Sequence, residues 1–449
     1  MNEPIFTISG LRGIVGESLT PEHILKYTKG FANYISGKNI AIGSDTRISG
    51  KILFHAVASG LFYLGYNVFD FGVCPTPAIV MMTKKLHLDA GIQITASHNP
   101  QEWNGLKFIS PHGRFLLTSE FEKFRKFIIS QQNNEKHNRY YDFNPKLINT
   151  DINELYLKNI KNSAYFKNIR TRKLKVGIDS CNGAAESTAI RLVEMFGATP
   201  ITINKNKIGF PRPPEPRSEN LKRLSSIIKT LKLNLGIAFD PDGDRFACVD
   251  ENGLPLSEES SVLLALLLIL PQEQRPVVVN NSTTMAVEDI CKKFAVPVYR
   301  SKVGEANVVE KMQQVKAIIG GEGNGGVILP RVNYTRDGLV ATAIVLTLLA
   351  REKCPLSEIR KKLPTYFMEK TVITNYKHNW QQIIRKIYNK DKSIKYDVQD
   401  GLKIIGEGFW MLIRPSNTEP VLRIIAESKE KSFTNRLIRD TIDQIKIHS

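Results

Sequence analysis

Short apolar runs alternate with longer helical patterns three times along this 449-residue sequence. In the first round, residues 39–43, 66–71 and 90–95 read as strands, with helices at 51–64 and 76–86 between them. The second round places strands at 174–179, 199–203 and 235–239 around helices at 185–196 and 221–231. The third places strands at 277–280, 298–300 and 317–319 around helices at 285–294 and 305–314. Such alternation builds parallel or mixed sheets with helices on their faces. A single core does not fill a chain this long. Beyond residue 364 the pattern changes: strands at 401–405, 408–414 and 421–427 run together before an amphipathic helix at 432–447. The expected fold class is therefore α/β, with three similar mixed α/β domains plus a smaller C-terminal α+β domain. Polar stretches place the domains at 1–150, 151–254, 255–366 and 367–449, with a linker near 364–370. The segment FPRPPEPR at 210–217 cannot be a central strand or helix. It is a stiff loop, either a spacer or part of a binding surface.

Composition excludes several classes. Five scattered cysteines with no CxxC pair cannot form a disulfide scaffold. The longest strongly apolar run, 262–270, has nine residues, and a spanning helix needs about 20. MNEPIFTISG carries no secretory signal pattern, so the expected location is cytoplasmic, with no membrane partner. The net charge of +18 raises the question of a nucleic-acid partner. The richest basic stretch, 158–175, includes Lys161, Lys167, Arg170, Arg172 and Lys173 but no nucleic-acid motif. It reads as a solvated surface, and its field would attract an anionic substrate.

Four polar loops carry reactive side chains. TASHNP, at 95–100, follows a strand and holds Ser97 beside His98, with Lys107 close behind in NGLK. Loops at the carboxyl ends of strands are where open α/β sheets bind ligands. DPDGDR, at 240–245, sets Asp240, Asp242 and Asp244 in alternation after an apolar strand. Carboxylates converging from one loop suit a hard cation such as Mg²⁺. A calcium loop is excluded because Arg245 stands where that loop needs glycine. GGEGNGG, at 320–326, supplies Glu322 and Asn324 to hydrogen-bond hydroxyls, or is simply a tight turn. RPSNTEP, at 414–420, combines Arg414, Ser416, Asn417 and Thr418 into a plausible phosphate cradle. A hydroxyl, a metal nest, a hydroxyl binder and a phosphate clamp together describe phosphoryl transfer on a hydroxylated substrate.

With these four loops in this order, the chain resembles the α-D-phosphohexomutases over nearly its whole length. TASHNP with NGLK looks like that family's phosphoserine loop, DPDGDR its metal loop, GEGNGG its sugar loop and RPSNTEP its phosphate loop. Arg12, in SGLRG, resembles its N-terminal arginine signature. The resemblance implies four domains around a central cleft. It makes Ser97 the phosphorylated serine, with Asp240, Asp242, Asp244 and one phosphoserine oxygen holding Mg²⁺. Lys107, His98, Arg12 and Arg245 become candidates for acid/base or charge-stabilising roles. Lys302, Glu322 and Asn324 would contact the sugar, and Arg414, Ser416, Asn417 and Thr418 the phosphate that does not react.

One departure stands out. Many members end the sugar loop with Ser-Gly-His, where this chain has Asn324-Gly325-Gly326. The missing histidine shifts proton transfer toward Lys107 or His98. The implied activity is interconversion of sugar 6- and 1-phosphates through a sugar 1,6-bisphosphate, by a monomer or homodimer. Glucosamine phosphate is the expected substrate and mannose or glucose phosphate the alternative. A phosphatase with an aspartate nucleophile in DPDGD is a further alternative.

Overall fold

The computed structural model describes residues 3–130, 144–171, 173–204, 209–374, 380–388, 393–415 and 421–447. The described residues form four sheets. In the first, Asn39–Ser44, Asn67–Val73 and Ala90–Ile94 pair in parallel, and Trp103–Ser110 joins the third of them antiparallel. The second repeats this plan with Lys175–Asp179, Thr199–Thr202, Leu235–Phe239 and antiparallel Phe246–Val249. The third repeats it with Val277–Asn280, Val298–Ser301, Ile319–Glu322 and antiparallel Gly326–Ile328. Central strands such as Ala90–Ile94 and Leu235–Phe239 are buried throughout, which is why they read as unbroken apolar runs.

The antiparallel fourth strand decides where the reactive loops lie. In each unit the polar loop is the link from the third strand to the fourth: residues 95–102, 240–245 and 323–325. All three therefore leave the carboxyl end of a parallel strand, the ligand-binding edge of such a sheet. The sequence placed Lys107 in the loop after Ser97; it lies instead within the strand Trp103–Ser110. Within it, Gly105 pairs with Arg12 of the strand Gly10–Ile14. A Cβ at Gly105 would lie 2.0 Å from the Leu11 carbonyl oxygen, so the glycine serves close strand approach.

One continuous core runs from the first sheet through the second and third. The apolar run at 262–270 forms the buried helix Ser260–Ile269, packed against Gly338–Glu352 and Ala286–Lys293. Among the described residues no helix is long and apolar enough to cross a membrane. The fourth sheet is antiparallel throughout and starts with Phe367–Ile373, where the sequence suggested a linker. It has its own core beneath the helix Lys431–Ile447.

Candidate active site

Ser97 sits at the tip of the first loop with a positive φ of 51° and almost no exposure. A serine holds that conformation only where its surroundings impose it, and here Arg47 and Thr95 do. The Ser97 N–H donates to Thr95 Oγ1 at 2.9 Å, and Thr95 Oγ1 donates to Asp45 at 2.5 Å. Arg47 is paired with Asp45 at 3.1 Å. Its guanidinium donates to the carbonyls of Ser97 at 2.7 Å, Asn99 at 2.8 Å and Trp103 at 2.9 Å, and to that of Pro100. One buried cation thus holds three carbonyls of the loop and that of Trp103, where the next strand begins.

The Ser97 hydroxyl donates to Asp240 Oδ2 at 3.1 Å. Asp240, Asp242 and Asp244 are fully buried, with one oxygen from each within 4.8 Å of the others. Lys107 Nζ donates to Asp242 Oδ2 at 2.6 Å and Asp244 Oδ2 at 3.0 Å. Thr76 also donates to Asp242 Oδ2, at 2.6 Å, and Arg336 to Asp244 Oδ2, at 3.1 Å. Each of these two carboxylates is therefore anchored by Oδ2, while its Oδ1 is buried without a hydrogen-bond partner. Buried unpaired carboxylate oxygens are costly. Two of them beside Asp240 and a serine hydroxyl form an all-oxygen donor set that fits Mg²⁺.

The charges sort accordingly. Burial, then Asp244 and Asp242, raise the Asp240 carboxyl well above its usual range. Burial also opposes the charge on Asp244, but Arg336 and Lys107 outweigh it and hold that carboxyl far below the usual range. For Lys107, burial would lower the pKa, yet Asp242 and Asp244 win and keep the ammonium charged.

Arg245 donates to His98 Nδ1 at 2.9 Å and pairs with Glu215. A guanidinium can only donate, so Nδ1 must accept and the His98 proton sits on Nε2. Burial, Arg245 and Arg12 push His98 well below its ordinary pKa, so it is neutral. Arg12 donates to Asn99 Oδ1 at 3.0 Å, which brings the N-terminal strand to the same loop.

The sugar-loop candidates lie next to this cluster. The Phe246 N–H donates to the Gly325 carbonyl at 2.5 Å, joining the second and third loops by their backbones. Glu322 accepts from Asn280 at 3.0 Å and the Gly304 N–H at 2.8 Å, and pairs with Arg336 at 3.3 Å. Asn324 Oδ1 is buried without a partner. Lys302 is exposed at the end of the neighbouring strand. At Gly326 a Cβ would lie 2.6 Å from Arg336 Cβ and 2.7 Å from the Asp244 carbonyl oxygen. Arg336 therefore fills the space a larger residue at 326 would need. Arg414, next to last in the strand Phe409–Pro415, pairs with Asp400 at 3.4 Å. Asp400 also accepts from the Val303 N–H at 2.9 Å, beside Lys302. Ser416, Asn417 and Thr418 lie outside the described residues.

Among the site residues missed in the sequence are Arg47, Arg336 and Glu215. Arg47 and Arg336 are single charged residues with no motif of reactive neighbours, although SDTR before a helix and RDG before another were visible as strings. Glu215 lay in the proline-rich loop, whose anchoring was not legible. Arg212 ties that loop to Asp179 at 2.9 Å and to the Phe239 carbonyl at 2.6 Å, just before the metal-loop candidate.

Comparison with known proteins matches the chain to four family models. They are Phosphoglucomutase/phosphomannomutase alpha/beta/alpha domain I at residues 3–135, domain II at 154–253, domain III at 259–367 and the C-terminal domain at 373–444. A phosphoglucomutase/phosphomannomutase of Thermococcus kodakarensis is 35% identical, covering 95% of each chain. A phosphoglucosamine/phosphogalactosamine mutase of Sulfurisphaera tokodaii is 32% identical, covering 97% of this chain and 98% of its own. A phosphoglucosamine mutase of Alkaliphilus oremlandii is also 32% identical, over 97% of each chain. The fold matches the crystal structure of a phosphoglucomutase/phosphomannomutase family protein from Burkholderia thailandensis. The TM-score is 0.84 at 24% identity, covering 99% of this chain and 98% of that one.

Proposed function

The chain belongs to the phosphoglucomutase/phosphomannomutase family, the α-D-phosphohexomutases, and from that premise we propose that a phosphoserine at Ser97 is its phosphoryl carrier. The enzyme is a phosphohexomutase. The observation that carries the proposal is the Ser97 hydroxyl at 3.1 Å from Asp240, beside the unpartnered oxygens of Asp242 and Asp244.

In the first half-reaction the free hydroxyl of a sugar monophosphate attacks the phosphorus on Ser97. The P–Oγ bond breaks, and the hydroxyl proton ends on Oγ. The sugar 1,6-bisphosphate then turns in the cleft, and the Ser97 hydroxyl takes the other phosphoryl group by the reverse of these bond changes. Such transfers depend on positioning and charge neutralisation. Mg²⁺ bound at Asp240, Asp242 and Asp244 would neutralise phosphoryl oxygens. Lys107 and Arg12 add positive charge, Arg245 faces the phosphoryl position, and His98 offers an Nε2–H donor. Lys302, Glu322 and Asn324 face the sugar, and Arg414 with Ser416, Asn417 and Thr418 holds the phosphate that is not reacting.

The substrate is glucosamine 6-phosphate, converted to glucosamine 1-phosphate; relatives named for that sugar support this reading. The relative named phosphoglucomutase/phosphomannomutase favours glucose or mannose phosphate as the second reading. Two measurements test the proposal. Intact-mass and peptide analysis should find one phosphoryl group on Ser97, whereas one on Asp240 would mark an aspartate-nucleophile phosphatase. A phosphosugar panel should give its highest kcat/KM with glucosamine phosphate, and a higher value for glucose or mannose phosphate would reassign the sugar.

A further inference from the structure

Arg336 stands between two loops of the site and belongs to neither. Its Nη2 lies 3.1 Å from Asp244 Oδ2, its Nη1 3.3 Å from Glu322 Oε2 and its Nε 2.9 Å from Glu305 Oε2. Three carboxylates from three separate elements thus meet on one buried guanidinium. Asp244 comes from the second sheet's loop, Glu322 from the last residue of Ile319–Glu322, and Glu305 from the first turn of Glu305–Val315.

We propose that Arg336 is a positioning residue that couples the metal-site carboxylate Asp244 to the sugar-facing Glu322, so that filling one site favours filling the other. This rests on the metal and sugar assignments above. The geometry supports coupling over simple charge balance. Arg336 grips only Oδ2 of Asp244, which leaves Oδ1 buried and unpartnered beside Asp240 and Asp242. Rotation of that carboxylate would break the Arg336 contact. The same planar group fixes Glu322 from the other side, so a shift at one carboxylate moves the donor held by the other. A backbone contact already joins the two loops, through Phe246 N–H to Gly325, and Gly338 N–H to Gly243 ties the segment that carries Arg336 to the second loop. The guanidinium sets side-chain orientation on top of that. An ammonium is a single point of charge and cannot address three carboxylates along fixed directions. Gly326 completes the arrangement, since a Cβ there would collide with the Arg336 stem.

The test is Arg336→Lys, which keeps the charge and removes the fork, with Glu305→Gln as a second variant that loosens Arg336 without altering either loop. Mn²⁺ binding is followed by its magnetic resonance signal, and glucosamine 6-phosphate binding by calorimetry, each with and without the other ligand. Wild type should show reciprocal enhancement, since linkage between sites must be mutual. Arg336→Lys should bind Mn²⁺ about tenfold to a hundredfold more weakly, the usual effect of losing a group that orients a metal ligand. Its mutual enhancement should fall toward one, and Glu305→Gln should move both in the same direction by less. Wild-type affinities and enhancement in both variants would overturn the proposal and leave Arg336 as a structural tie. Failure of the wild type itself to bind Mn²⁺ would overturn the metal reading and this proposal with it, a result visible before any variant is made.

Discussion

Ser97 Oγ lies 3.1 Å from Asp240 Oδ2, although 143 positions separate the two residues. They meet because each occupies the link from the third strand to the antiparallel fourth in its own sheet. Repeating one topology gives two equivalent loops, and the contacts of Ser97 with Asp240 and of Lys107 with Asp242 and Asp244 make them a single site. The third equivalent loop joins through Gly325 and Phe246.

Ser97→Ala should abolish turnover and leave no phosphoryl group detectable by intact mass. The hydroxyl is the Asp240 Oδ2 partner, so its removal leaves a buried acceptor unpaired, at a stability cost of about 1–3 kcal/mol. Denaturant unfolding should therefore show a folded but mildly weakened protein. Retained turnover would place the phosphoryl carrier elsewhere.

Much of this site was legible because its chemistry is concentrated in short strings at strand ends. Asp240, Asp242 and Asp244 mark a candidate cation site by residue type and spacing alone. The antiparallel fourth strands were not legible, since Phe246–Val249 and Gly326–Ile328 are only four and three residues long. Lys107 was misplaced in the loop because the strand pairing that holds it, with Leu11 close against Gly105, is a tertiary fact. The first helix, Pro21–Tyr34, was also missed, despite Thr20 and His23 forming a reciprocal cap at its start. Arg47, Glu215 and Arg336 act through contacts 30 or more positions away, such as Arg47 with Ser97, Glu215 with Arg245 and Arg336 with Asp244. A lone charge carries no local trace of such a partner.

Asp242→Asn should weaken Mg²⁺ binding by about tenfold to a hundredfold, because an amide is a poorer ligand and changes the contacts to Lys107 and Thr76. Calorimetric Mg²⁺ titration of the variant checks this. In parallel, chelator-treated wild type should lose activity and regain it on adding Mg²⁺. Full activity without metal would contradict the assignment.

Arg47→Lys should slow turnover by about a hundredfold, the order expected for a misplacement near 1 Å at a reacting group. Lysine cannot reach the four carbonyls that Arg47 holds across 97–103. Because the Arg47 guanidinium is buried and taken up by these backbone carbonyls, KM for the sugar phosphate should change little. A variant with raised KM and normal kcat would show that Arg47 serves substrate binding instead.

Glu215→Gln tests what the proline-rich loop does. Glu215 pairs with Arg245 and also with Arg217 at 2.6 Å. Its carboxylate therefore competes with any phosphoryl anion for Arg245. The pair is partly exposed, so screening limits the effect to about 1 kcal/mol, or roughly fivefold. Inorganic phosphate should inhibit Glu215→Gln at a correspondingly lower concentration than wild type. An unchanged inhibition constant would leave the loop as a spacer.

The last sheet is tied to the third through Lys403. Its Nζ donates to the Asn281 carbonyl at 2.7 Å and lies 4.3 Å from the centre of the Trp410 ring. Trp410 in turn donates to Glu427 at 2.6 Å, and Glu427 accepts the Met285 N–H at 2.8 Å. Burial, then Arg300, push the Lys403 amine down to about 6, against the pull of Glu288, Asp397 and Glu427. A free lysine titrates near ~10.4. Between those two pH values the unfolded chain binds more protons at this position, so this group makes stability rise with pH across that window. Below about 6 both states are protonated, and the folded state carries the full cost of a buried ammonium. Lys403→Met should therefore flatten the rise in melting temperature between pH 6 and 9, seen as a smaller slope than wild type by tryptophan fluorescence. Parallel slopes in the two proteins would mean that Lys403 stays charged in the fold, held so by the Trp410 ring and the three carboxylates around it.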